Sequence, residues 1–229
     1  MFKLSKAIPK DLLIDNNSSI NTDIMNFLSI DCSTVIGSLF VKTKNKTFSQ
    51  VLQSDKSNND LLMKQILDFF KENNIKFGDI SNIFVNQGPG NFSGLRGSLA
   101  IAKGVSLAKN LNLFGYNTFI WTCVKFFKKK NFIYSLIKFR EKYFIKKFDT
   151  SLKSTSKVEE ITVDEIIKKY DNKFKVIPKN GIKYFDEKIL KLNNLSIVDL
   201  DHNELEFLQL KGLLDKESIK PLYLSSKSF

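Results

Sequence analysis

The chain has 229 residues, with 36 Lys and Arg against 24 Asp and Glu, giving a formal net charge of +12. That length suits one large domain or two small ones, and 42% hydrophobic content is enough for a core. No apolar run reaches the roughly 18 residues of a membrane span, and two lone cysteines, Cys32 and Cys123, make no disulfide framework. The expected setting is therefore cytoplasmic and reducing, with no membrane. His202 is the single histidine, so neither a four-ligand zinc site nor a two-histidine zinc-protease motif can be assembled. Its surroundings, Asp201-His202-Asn203-Glu204, read as a loop and helix cap with the ring at the surface.

Residues 1–24 are polar and end in an Asn/Ser-rich run, without a signal-peptide core. They read as a disordered extension, or as sequence ahead of a true start at Met25. From Asn26 the pattern predicts a strand to Asp31, the polar turn Cys32-Ser33-Thr34, a strand over 35–43 and another over 48–53. A helix over 59–72 follows, with Leu61, Leu62, Ile66, Leu67, Phe69 and Phe70 at helical spacing. Ile80–Asn86 reads as a buried strand, Ser93–Lys109 as a second long helix, and Leu113–Thr118 as a further strand. Strands alternating with helices in this way imply a sheet with parallel pairs.

The second helix carries apolar residues on every side, which calls for cover on two faces. One is the sheet. A neighbouring helix and a partner subunit suit the other equally. Beyond it, 121–130 reads as helical at first, and 132–139 with 141–148 as a hairpin with one wet face. A flexible connection over 149–160 precedes a helix over 161–170. Strands near 174–177 and 195–199, a short helix after Gly181 and a last helix over 204–214 complete the chain. No internal repeat is visible in the sequence.

Charge is unevenly placed. Residues 125–147 hold nine basic groups and one acidic, whereas residues 148–229 hold 14 of each. This strip, with Lys128, Lys129, Lys130 and Arg140, is either a lysine-rich solvated face or a surface for a polyanion such as RNA.

Two segments offer chemistry. Gln87-Gly88-Pro89-Gly90-Asn91-Phe92-Ser93-Gly94-Leu95-Arg96 lies between a strand and a helix. Its glycines permit close backbone approach, the helix start presents free N–H groups, and Arg96 offers a fork of donors. It is neither a Walker A loop nor a dinucleotide fingerprint. On the residues alone, an anion loop and a tight strand-to-helix turn fit equally. Ile30-Asp31-Cys32-Ser33-Thr34 places an acid at a strand end before a hydroxyl-rich turn. Such turns wrap nucleotide phosphates around a metal-bound water, or simply join two strands.

Taken together and in this order, Met25 to Thr34 and Gly88 to Arg96, followed by Ala102-Lys103-Gly104, resemble the TsaB (YeaZ) family of tRNA threonylcarbamoyladenosine synthesis. The closing Pro221-Leu222-Tyr223-Leu224 is similar to that family's tail, with Ser225 where an Arg usually follows. Lys56-Ser57-Asn58 stands in place of the family's His-Ser-Glu, and Lys138-Phe139-Arg140 in place of an Asp-Ala-Arg-like stretch. The resemblance implies an α/β, actin-like ATPase (RNase H-like) fold of two small subdomains, 25–124 and 125–229. The first would hold a mixed sheet and two long helices.

It further implies a non-catalytic subunit that pairs with the paralogue TsaD, whose metal-binding histidine pair this chain lacks. TsaE would join at or near that interface, tRNA would be met indirectly, and the chain would pair with itself when alone. The interface would lie on the two long helices, with Leu61, Leu62, Gln65, Phe69, Leu95, Leu99, Ala102 and Lys103 as candidates. Anion-loop candidates are Asp31, Ser33, Thr34, Gly88, Gly90, Ser93, Gly94 and Arg96. No cofactor of its own is expected, with ATP or ADP only at a complex interface. The competing readings are a self-sufficient ATPase or kinase and a lysine-rich RNA-binding module.

Overall fold

The computed structural model describes residues 25–52 and 61–224. The extension over 1–24, the Lys56-Ser57-Asn58 stretch and Ser225 lie outside the described residues. Two five-stranded sheets organise the chain. The first contains β1 (Phe27–Asp31), β2 (Ser38–Lys42), β3 (Thr47–Val51), β4 (Asn82–Asn86) and β5 (Asn112–Tyr116), in the order β3-β2-β1-β4-β5. The β1–β2 and β2–β3 pairs are antiparallel, while β1–β4 and β4–β5 are parallel. The parallel crossovers are made by α1 (Leu61–Glu72) and α2 (Phe92–Lys109).

Every residue of β1 and β4 is buried, as expected of central strands covered on both faces. Along β1 the alternation sorts the two faces. Leu28 and Ile30 pack with Leu62, Ile66, Phe69, Leu99 and Ala102 beneath the helices. Phe27 faces the other way, with Phe40, Phe84, Phe114 and Tyr116, in a core shared with the second sheet. Helix α2 begins at Asn91, whose side chain accepts from the Ser93 N–H at 3.2 Å, and ends at Asn110 in the left-handed region. Both are residues suited to those caps.

The second sheet repeats the topology of the first. It contains β6 (Phe132–Phe139), β7 (Lys142–Asp149), β8 (Glu159–Ile161), β9 (Lys175–Pro178) and β10 (Leu195–Val198), in the order β10-β9-β6-β7-β8. Again the first three strands are antiparallel and the last two join in parallel. The helices of this lobe are reduced to α4 (Val163–Tyr170) and the single turn α5 (Glu187–Leu190), and α3 (Thr118–Trp121) and α6 (Glu204–Leu210) lie at the junction of the lobes. The duplication is one of backbone path, and for that reason it was invisible as a sequence repeat.

Three expectations are corrected here. The β6–β7 hairpin has no wet face along its centre: Ile133, Ile137, Phe144 and Phe148 face the shared core, and Leu136, Tyr143 and Ile145 a separate cluster with Ile166 and Ile177. The segment after Asp149 is ordered, because the Asp149 carboxylate accepts the Ser151 and Lys153 N–H groups at 2.8 and 2.9 Å and Leu152 is buried. The helix expected from residue 121 instead spans Thr118–Trp121, ends there, and is followed by a 3-10 turn over Val124–Phe126. Among the described residues no helix is long and apolar enough to cross a membrane.

The lobes are joined by one apolar core and by a polar seam. His202 is not the surface residue its neighbours suggest. Its Nδ1 and Nε2 each lie 2.9 Å from a hydroxyl, of Ser29 and Ser38 respectively, and its ring stacks on Phe40 at 5.2 Å between centroids. Lys42 pairs with Glu206 across the same seam, and the Trp121 indole N–H donates to the Asp201 carbonyl at 3.0 Å. Burial pushes His202 down from 6.5 to about 3. It pushes the adjacent Glu204 up from 4.5 to about 8, although Lys125 lies 3.8 Å away.

These shifts set a pH response with a definite sign. A histidine held neutral in the fold stabilises it above pH 6.5 and withdraws that support as pH falls towards 3, because the unfolded chain takes up the proton. The buried Glu204 acts oppositely, withdrawing support as pH rises from 4.5 to 8. The expected outcome for His202→Gln is a loss of about 1–3 kcal/mol at neutral pH. Between pH 6.5 and 4 its melting temperature should fall less steeply than that of the natural chain, as followed by circular dichroism.

Candidate functional site

Asp31 ends β1, which pairs in parallel with β4 and so brings it beside Asn86 at the end of that strand. It is 1% exposed, and its carboxylate is fully engaged. Oδ1 accepts from the Ser33 N–H and hydroxyl at 2.9 Å each, the Thr34 N–H at 3.2 Å and the Asn86 amide at 3.1 Å. Oδ2 accepts from the Thr34 hydroxyl. Burial raises its pKa, and these bonds pull it back. Asn86 carries the contact onward, donating to the Thr118 hydroxyl at 3.1 Å and accepting the Gly88 N–H at 2.9 Å. A polar residue closing the apolar run Ile83-Phe84-Val85 is the signal that marks Asn86 in the sequence.

The loop over 88–94 lies directly on the 32–34 turn. A Cβ on Gly90 would sit 2.4 Å from the Ser33 carbonyl oxygen, and one on Gly94 2.9 Å from that of Cys32. The two segments proposed as phosphate-cradling loops are therefore packed against each other, with Ser33 buried and Ser93 exposed at the helix start. Arg96, expected to face an anion, is taken up otherwise. Its Nε donates to the Tyr223 hydroxyl at 2.8 Å, its guanidinium lies 3.7 Å over the Phe92 ring, and Phe92 stacks on Tyr223 at 5.4 Å.

The tail that brings Tyr223 here crosses back from the second lobe. Asp215 bridges to Gly115, the Leu222 N–H donates to the Gln87 carbonyl at 2.7 Å, and the Gln87 amide donates to the Lys220 carbonyl at 3.0 Å. Both signature segments thus meet in space. Burial pushes the Cys32 and Cys123 thiols up to about 12, which leaves neither a ready nucleophile.

The interface candidates divide. Leu62, Phe69, Leu95, Leu99 and Ala102 are buried in the chain's own core and cannot meet a partner, whereas Leu61 and Lys103 are exposed and Gln65 is half-buried. The outward side of α2 instead carries Ala100, Gly104, Leu107 and Ala108, with Leu107 84% exposed. An apolar groove of about 310 Å³ runs between α1 and α2, lined by Met63, Phe77, Ile101, Gly104 and Ala108 among others. The basic candidates divide as well: Lys128, Lys129 and Lys130 lie at one end of the β6–β7 hairpin and Arg140 at its turn.

Comparison with known proteins agrees with this geometry. Residues 50–134 match the family described as TsaD, tRNA N6-adenosine threonylcarbamoyltransferase. A protein of Buchnera aphidicola subsp. Baizongia pistaciae, described as tRNA threonylcarbamoyladenosine biosynthesis protein TsaB, is 33% identical over 90 residues. That stretch covers 38% of this chain and 40% of the relative, so the match spans less than half of either. Two structures from Pseudomonas aeruginosa, YeaZ and an uncharacterised protein with similarity to peptidase YeaZ, superpose with TM-scores of 0.62 and 0.64. Both cover 88% of this chain and all of theirs at 14% identity, a likeness of fold.

Two repeated RNase H-like lobes, with an acid at the end of the first strand and a glycine loop facing it, define an actin-like α/β protein. Within that class, the sequence likeness falls on residues 50–134, matched to the TsaD family, and on the 90 residues shared with the Buchnera TsaB protein, while the likeness to YeaZ is one of fold.

Packing at the glycine loop gives a paired prediction. Gly90→Ala is expected to lower stability by about 1–3 kcal/mol, because its methyl must displace backbone. Gly104→Ala, where a Cβ meets nothing within 4 Å, is expected to gain about 0.5–1 kcal/mol from helix propensity. Urea denaturation of the two variants checks the contrast.

Proposed function

We propose that this chain is the non-catalytic partner subunit of a tRNA threonylcarbamoyladenosine-forming complex. It binds and stabilises TsaD for transfer of threonylcarbamoyl to the adenosine next to the tRNA anticodon. The observation that carries this reading is the open apolar face along α2 and its groove with α1. Leu107 at 84%, Leu67 at 47% and Leu61 at 36% exposure are apolar side chains left outward on these two helices, and the small residues Ala100, Gly104 and Ala108 of α2 would let a partner helix approach closely. An apolar groove flanked by exposed apolar side chains suits a binding site. TsaE would join near the same face, a second copy would cover it when the chain is alone, and the setting would be cytoplasmic.

A self-sufficient ATPase has less support. Asp31 is saturated by its own turn, Arg96 is bound to the tail, and the two loops that would hold phosphates touch each other. Nucleotide, if it enters, would do so at a complex interface.

The test is co-purification with TsaD. The natural chain is expected to associate, whereas Leu107→Glu and Gly104→Glu should weaken association at least about tenfold, or 1.4 kcal/mol, while keeping their melting temperature. Leu99→Glu, 4% exposed, should instead fail to fold. A natural chain that does not associate with TsaD would contradict the reading.

A further inference from the structure

The excess positive charge of 125–147 is divided by the hairpin that carries it. Lys138, Arg140 and Lys142 sit at the closed end, about 24 Å along β6 from Phe132. There Glu141 pairs with Lys138 at 3.8 Å and Glu160 with Lys142 at 2.7 Å. The open end has a different character. Lys128, Lys129 and Lys130 are exposed, and the Lys128 N–H donates to the Thr150 carbonyl at 2.7 Å, which brings the 150–158 loop alongside. That loop adds the exposed Lys153 and Lys157. Asp149, in the middle of this group, turns its Oδ1 onto two backbone N–H groups.

Aromatic rings interleave with these lysines. The Lys147 ammonium lies 3.7 Å over the Phe132 ring and that of Lys130 4.6 Å over Phe174. Phe132 itself is 48% exposed. Chains of ammonium groups beside an accessible ring match the two features of a single strand, a phosphate backbone and a base face. A carboxylate-bearing protein partner would use the first and leave the second without purpose.

We propose that the open end of the β6–β7 hairpin is a docking surface for single-stranded RNA. Lys129, Lys130 and Lys153 neutralise phosphates, and Phe132 stacks a base. This deepens the function proposed above and rests on it, since tRNA modification is what would supply the RNA.

The test uses the full chain alone, without TsaD, and a labelled single-stranded RNA of about 12 nucleotides. Binding is followed by fluorescence anisotropy from about 50 to 300 mM salt, over which the screening length falls from roughly 1.4 to 0.6 nm. Affinity should fall with salt at about 0.7 log units per log unit for each phosphate neutralised. The triple variant Lys129→Gln, Lys130→Gln, Lys153→Gln should reduce that slope by about 2 and weaken binding at least tenfold at the lowest salt. Phe132→Ala should weaken binding while leaving the slope unchanged. The closed-end triple, Lys138→Gln, Arg140→Gln, Lys142→Gln, removes equal charge and should change little.

Equal losses from the two triples would overturn the proposal, since net charge and not this surface would then be responsible. So would absent binding, or tighter binding of polyglutamate than of RNA. Because TsaD association is measured separately, RNA binding lost with co-purification intact defeats this inference alone. Co-purification lost with RNA binding intact defeats only the proposed function.

Discussion

The head of the first lobe depends on a backbone-to-backbone contact that side chains would forbid. Gly90 lies on the Ser33 backbone, closer than any Cβ could be accommodated. With the 32–34 turn pressed into place, its N–H and hydroxyl groups reach the Asp31 carboxylate, and Asn86 completes the ring of donors. A carboxylate 1% exposed would cost several kcal/mol without such partners. The same contact sets where α2 begins. Phe92 and Arg96 then emerge on the side where Tyr223 arrives, and the tail is pinned across both lobes. A motif that looks like an anion loop in one dimension is a three-way joint in three.

Duplication explains much of the remainder. Both lobes follow one strand order, yet only the first keeps two long helices. The second substitutes short turns and a buried lysine: the Lys175 ammonium donates to the carbonyls of Tyr170, Asp171, Lys173 and Asn193 at 2.6 to 2.9 Å, tying the end of α4 to β9 and β10. Between the lobes half of the buried shared core is aromatic, with His202 bridging two serines of the first sheet. The long helices of the first lobe present faces outward, and among the described residues no segment fills the apolar groove between them.

The first lobe was largely legible in the sequence because its strands are buried on both faces and its helices are long. Short apolar-rich strands at 27–31 and 82–86, separated by helical spacing, leave few other arrangements. Faces were harder. An apolar residue on α2 reads the same whether it meets the sheet, as Leu99 does, or solvent, as Leu107 does, and five of the eight interface candidates point inward. His202 was misread because its partners, Ser29 and Ser38, lie more than 160 positions away, and nothing in its polar neighbours announces them. The roles of Asp31 and Arg96 were ambiguous for the same reason: whether a donor faces a ligand or another part of the chain is decided by tertiary contacts, not by spacing.

The outward faces of α1 and α2 are the proposed site for TsaD. Hydrogen–deuterium exchange of the chain, alone and with TsaD, addresses it most directly. The account predicts slowed exchange in 61–72 and 92–109 on complex formation, with the second sheet unchanged. Protection confined to the second lobe, or none in either helix, would contradict it.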